Sequence, residues 1–100
     1  MSTTVATASI TAQNTFSTPV KLQGYFNLSL SGTWVATVTV QRSIDNVSFV
    51  DVDTFTGNTE EYGFEPENMF YRVGVKTGEY TSGTVVIRLG REYEDRYFNV

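Results

Sequence analysis

Six carboxylates fall between positions 51 and 67 of this 100-residue chain: Asp51, Asp53, Glu60, Glu61, Glu65 and Glu67. Two chemistries would use such a set. Calcium takes roughly six to eight oxygen ligands, and glycoside hydrolysis needs two carboxyls about 5–10 Å apart across a cleft. Neither pattern is completed. No Asp-x-Asp-x-Asp-Gly loop is present, and Glu65 and Glu67 flank Pro66 in what reads as a surface loop. Asp51 and Asp53 share a face by period two, but acids on exposed strand faces commonly serve to discourage edge pairing. The chain has no cysteine and no histidine, which excludes most zinc sites, thiol nucleophiles and His-based triads. The expectation is a protein that is not an enzyme, with no catalytic residues, no metal and no cofactor.

The elements that hold these residues read as strands. Thr and Val abound, and β-branched residues suit a pleated, half-buried surface. No window shows apolar residues at helical spacing over three turns. Residues 4–12 alternate loosely through Val5, Ala8, Ile10 and Ala12, as a weak strand or an extended arm. Residues 21–31 point Phe26, Leu28 and Leu30 to one side. Residues 34–42 alternate most clearly, with Trp34, Ala36, Val38 and Val40 on one face. After a turn at Asp45 and Asn46, residues 48–56 return with Val50 and Val52 inward. A short strand at 60–64, a turn at Pro66–Asn68, a strand at 70–77 carrying Tyr71, Val73 and Val75, a loop at 78–83 and a strand at 84–89 with Val85, Ile87 and Leu89 complete the set. Six to eight short strands with polar turns and one apolar face each predict an antiparallel β-sandwich. The core is expected to include Phe26, Leu28, Trp34, Val38, Val40, Tyr71, Val73 and Ile87.

Length fits one domain with a single core. It divides into an N-terminal arm or first strand at 1–18, the sandwich at 19–90 and a tail at 91–100. Seven basic against eleven acidic residues give a net charge of −4, and no basic run appears, so nucleic acid is not an expected partner. No stretch approaches a membrane span, and the start carries no leader pattern.

Residues 43–49, Ser-Ile-Asp-Asn-Val-Ser-Phe, resemble the Asp-box hairpin of sialidase-type propellers, with Val47 and Phe49 in place of its glycine and tryptophan. One copy cannot build a propeller. The expected role is therefore structural, with Ser43, Asp45 and Asn46 tying the turn to its own backbone. The run from Gly32 to Asp45, then Phe49-Val50-Asp51-Val52, Asp53-Thr54-Phe55-Thr56, Phe70-Tyr71-Arg72-Val73-Gly74-Val75 and Tyr80-Thr81-Ser82-Gly83-Thr84-Val85, resembles small immunoglobulin-like or fibronectin-type sandwich proteins of tailed-bacteriophage virions. That resemblance implies an immunoglobulin-like fold and a structural role in the virion, after synthesis in the host cytoplasm. It implies attachment to other virion proteins, the major capsid protein or tail and portal-region proteins, with capsid decoration as the leading role. A tail, neck or fibre-adaptor component and a carbohydrate-binding adsorption module are the alternatives. A homo-oligomer is expected.

Aromatic content points to where attachment occurs. Tyr25, Tyr62, Tyr80, Tyr93, Tyr97 and Phe98 exceed what so small a core can house, and tyrosine is favoured at interfaces. The tail carries three of them beyond the last strand. Tyr93, Arg96, Tyr97 and Phe98 are therefore the candidate interaction residues, on an arm that docks onto a neighbour.

Overall fold

A computed structural model of the chain describes residues 2–93. Its strands are β1 (Ser2–Ile10), β2 (Thr15–Phe16), β3 (Val20–Ser31), β4 (Trp34–Ser43), β5 (Val50–Phe55), β6 (Thr59–Gly83) and β7 (Val85–Tyr93). No helix occurs among the described residues. Every pairing is antiparallel, in the order β1-β7-β3-β6-β4-β5, with β2 on β6. The protein is all-β, and its strands form one curled sheet, an open half-barrel around a single core.

β6 makes the curl. Its first half pairs with β3, from Leu30↔Thr59 to Val20↔Tyr71. Its second half pairs with β4, from Ser43↔Phe70 to Trp34↔Gly83, and receives β2 on its other side at Gly74 and Val75. One 25-residue strand thus serves both halves of the sheet. The separate strands, the turn at 66–68 and the loop at 78–83 expected from the sequence are replaced by this continuous strand. A bulge explains how a proline fits. Between Leu22↔Met69 and Gly24↔Glu65, β6 advances four residues (69 to 65) while β3 advances two (22 to 24). Pro66 lies in that excess, so its missing N–H removes nothing from the ladder. Gln23 donates from Nε2 to Pro66 O at 3.4 Å, and Glu67 N–H finds the Glu65 carboxylate at 3.1 Å.

Phe26, Leu28, Val38, Val40, Tyr71, Val73 and Ile87 are all buried in the core, with Ile10, Leu22, Leu30 and Leu89. Trp34 is only partly buried, packing against the core from the first position of β4. Its indole needs a hydrogen-bond acceptor, which the sheet end supplies: Nε1 donates to Asn58 Oδ1 at 2.8 Å, and Asn58 Nδ2 donates to Gly32 O at 3.0 Å.

β5 departs from its expected alternation. Val50 and Val52 are exposed rather than buried in the core: β5 is the last strand in the sheet order, and a bulge pairs Val40 with Asp53 and Gln41 with Asp51 and leaves Val52 unopposed. Val40 and Gln41 face opposite sides, so the same bulge sends Asp51 and Asp53 to opposite faces. β7 runs to Tyr93, beyond the alternation that ends at Leu89, and pairs with β1 along its whole length. Gly90 permits this, since a Cβ there would lie 2.0 Å from Thr4 O.

Candidate functional site

Glu65 is the one acid among the described residues that is buried, with 1% of its surface exposed, and it does not sit in a surface loop. The bulge turns it inward beside Arg42, which donates from Nε to Oε1 at 2.7 Å and from Nη2 to Oε2 at 2.9 Å. Tyr71 Oη donates to Oε1 at 2.7 Å. With Glu67 N–H added, the carboxylate accepts four hydrogen bonds. Arg42 holds the Glu65 carboxyl at about 2, against a burial effect that works the other way. Burial, then the carboxylate's acceptance of its proton, pushes the Tyr71 phenol up to about 12. A carboxylate held ionised and fully hydrogen-bonded has no free lone pair for proton transfer, so this cluster pins β4 to β6.

The opposite face of β4 and β6 carries a second polar chain. Arg72 lies between two aromatic rings, 4.5 Å from the Phe16 centroid and 4.0 Å from that of Phe49. It donates from Nε to Gln41 Oε1 at 2.7 Å, Gln41 Nε2 donates to Asp51 Oδ1 at 2.8 Å, and Lys76 Nζ reaches Asp51 Oδ2 at 2.6 Å. Lys76 and then Gln41 lower the Asp51 carboxyl. Phe49 is brought there by the turn at 43–48. Ser43 Oγ accepts from Asn46 N–H at 2.9 Å, and Asp45 Oδ1 accepts from the N–H groups of Val47 and Ser48, each at 2.9 Å. Those two N–H groups, then Ser43, lower the Asp45 carboxyl. Asn46 occupies the left-handed region at φ 62°, which Asn tolerates. Both polar clusters are internally satisfied and hold strands together.

Several large apolar side chains are exposed, and three of them are aromatic rings that meet on one face. On the outer face of β3 and β6, Tyr25 is 65% exposed, Tyr62 76% and Phe64 58%. Tyr25 and Phe64 are directly paired across the two strands. Their ring centroids are 4.8 Å apart at 54°, and those of Tyr25 and Tyr62 are 6.2 Å apart at 51°. Asn27, Ser29 and Glu60 continue the same face, with Ser29 Oγ donating to the Glu60 carboxylate. Three large rings gathered on an open sheet face form the sort of patch that a partner covers.

Beside the patch the half-barrel is open. Residues 59–69 of β6 pair only with β3 among the described strands, and β5 pairs only with β4. A cavity of about 200 Å³ separates these two edges, lined by Phe26, Leu28, Val40, Phe55 and Tyr71 at its base and by Asp53 and Glu61 at its lips. The sequence explains the opening. Inward positions of β6 there are Glu61, Gly63 and Glu65, with no apolar side chain, and Phe26 lies where a Gly63 Cβ would be, 2.7 Å from its Cζ.

Of the sequence-derived interaction residues, Tyr93 closes β7 opposite Ser2, and Arg96, Tyr97 and Phe98 lie outside the described residues. Phe64 was not singled out from the sequence. Its signal was available, since it stands in phase with Tyr62 on a strand whose other face holds no apolar residue. No known family model, curated protein or solved structure matches this chain.

Proposed function

We propose that the chain is a non-enzymatic structural protein of a tailed-phage virion, a capsid decoration protein that binds other virion subunits through the outer face of β3 and β6. The virion setting and the immunoglobulin-like assignment of the curled sheet rest on the sequence resemblance. The mode of attachment rests on one observation, the exposed cluster of Tyr25, Tyr62 and Phe64. Rings of this kind supply large contact area at low entropic cost, and a few of them dominate interface energies. Repetition on a symmetric particle turns moderate single contacts into durable attachment. The tilts of 51° and 54° weigh against a glycan platform, since flat stacking on a sugar chain calls for rings in one plane.

Copy number on purified virions tests the placement: many copies per particle for a decoration protein, few for a tail, neck or fibre-adaptor component. Glycan-array binding abolished by Tyr62→Ser would replace the reading with an adsorption module.

A further inference from the structure

Residues 56–58 join β5 to β6, yet these consecutive strands do not pair with each other. The hairpin that so short a connection invites would set Phe55 opposite Thr59 and, two steps on, Asp53 opposite Glu61. Both acids occupy inward positions, Asp53 across from the buried Val40 and Glu61 across from the buried Leu28. Like charges directly opposed destabilise a ladder, so the strands part and leave a wedge over Phe26, Leu28, Val40 and Phe55. Among the described strands each of its two edges is paired on one side only, and such edges are templates for pairing with another chain.

The lips of the wedge lack a counter-charge. Among the described residues Glu61 has no hydrogen bond or ion pair, and Asp53 accepts only from its neighbour Thr54 N–H at 2.9 Å. Lys21, Arg42, Arg72, Lys76, Arg88 and Arg91 each already have a partner. A chain of net charge −4 is a poor source of the missing cation in a second copy as well. The cavity of about 200 Å³ exceeds the roughly 150 Å³ that admits a benzene ring, and the rings of Phe26, Phe55, Tyr62, Phe64 and Tyr71 line it. Carboxylates beside aromatic faces suit a guanidinium better than an ammonium, because its plane stacks on rings while its fork of N–H groups meets the acids. We propose that the wedge accepts an extended segment of a partner protein, which lies along the open edge of β6 and sets an arginine between Asp53 and Glu61. Backbone pairing with the edge supplies affinity, and the arginine supplies the selection. The inference rests on the proposed attachment through this side of the sheet, since Tyr62 and Phe64 belong to both the outer patch and the wedge.

The test is an amide chemical-shift titration of the full chain with two end-blocked peptides, Thr-Val-Arg-Val-Thr and its counterpart Thr-Val-Glu-Val-Thr. The arginine peptide should shift the amides of residues 51–55 and 59–64 saturably, and bind at least tenfold more tightly than the glutamate peptide. Asp53→Lys/Glu61→Lys keeps two like charges in opposition and so keeps the wedge open. This variant should bind the arginine peptide at least tenfold more weakly and take the glutamate peptide in its place, a result that general destabilisation cannot produce. No saturable shift at these residues, equal binding of the two peptides, or an unchanged preference in the variant would each overturn the inference. Shifts of the same amides with protein concentration, or on Arg96→Gln in the free protein, would give the wedge to a second copy or to the chain's own tail, and overturn it as well. Virions separate this outcome from that of the attachment reading. The variant should attach to particles lacking the protein at least tenfold more weakly than the wild type. Equal attachment sinks the arginine site and leaves Tyr62 and Phe64 in their role, whereas peptide binding by a chain that never attaches to virions sinks the virion reading alone.

Discussion

Arg42 and Glu65 meet as a bidentate pair, Nε to Oε1 at 2.7 Å and Nη2 to Oε2 at 2.9 Å, joining β4 to β6 at the bulge around Pro66. The carboxylate is buried while the guanidinium is partly open to water. Removing the arginine leaves a buried anion with only Tyr71 and one backbone N–H. Arg42→Ala should therefore cost about 2–3 kcal/mol in urea unfolding, below the roughly 3–5 kcal/mol for breaking a fully buried pair. Glu65→Gln keeps a hydrogen-bonding side chain and should cost less than Arg42→Ala.

Stability should fall in acid. Glu65 titrates at about 2 in the folded protein, below an unfolded carboxylate near 4.3, so its contribution is complete above the unfolded value and vanishes as pH drops through 4 towards 2. Asp45 and Asp51, also lowered, act in the same direction. Melting temperature measured between pH 6 and pH 2 should decline, and Glu65→Gln should flatten that decline. An unaltered pH profile in the variant would remove Glu65 from this role.

The alkaline limb has the opposite sign. Tyr71 is raised to about 12, so its contribution is complete below an unfolded value near 10 and is lost as pH rises from 10 to 12. Tyr71→Phe should remove that loss, at the expense of about 1 kcal/mol at neutral pH for the missing hydrogen bond. Unfolding curves at pH 8 and pH 11 check both.

Asp45→Ala should loosen the 43–48 turn without unfolding the sheet. The N–H groups of Val47 and Ser48 lose their acceptor but are exposed and can turn to water, so the loss of stability in urea unfolding should be smaller than that of Arg42→Ala. Phe49 would then hold its place over Arg72 less firmly, and amide exchange at residues 46–49 should quicken while β6 is unaffected.

Period-two alternation in the sequence shows most of the strands and the buried positions, since Phe26, Leu28, Val38, Val40, Val73 and Ile87 each sit in an uninterrupted phase. Bulges hide the rest. At Pro66 the chain inserts residues into a strand that continues, and proline followed by asparagine looks the same in sequence as a true turn. At Val52 a one-residue slip reverses the faces of its neighbours, so Asp51 and Asp53 separate although their spacing suggests a pair. Glu65 is the extreme case: its burial depends on Arg42, twenty-three residues away, and no local pattern records that contact. The outer aromatic patch was half visible. Tyr25 and Tyr62 exceed the capacity of the core, but their meeting with Phe64 depends on the β3–β6 register.

Binding of the purified protein to virions that lack it, wild type against the Tyr62→Ser/Phe64→Ser double variant, tests the central claim most directly. Both side chains are exposed, so the variant should fold as the wild type does. Loss of an interface anchor of about 2 kcal/mol corresponds to roughly thirtyfold weaker binding. Saturable attachment of the wild type and at least that loss in the variant is the predicted result. Equal binding by the two proteins, or no saturable binding of the wild type, would contradict the account.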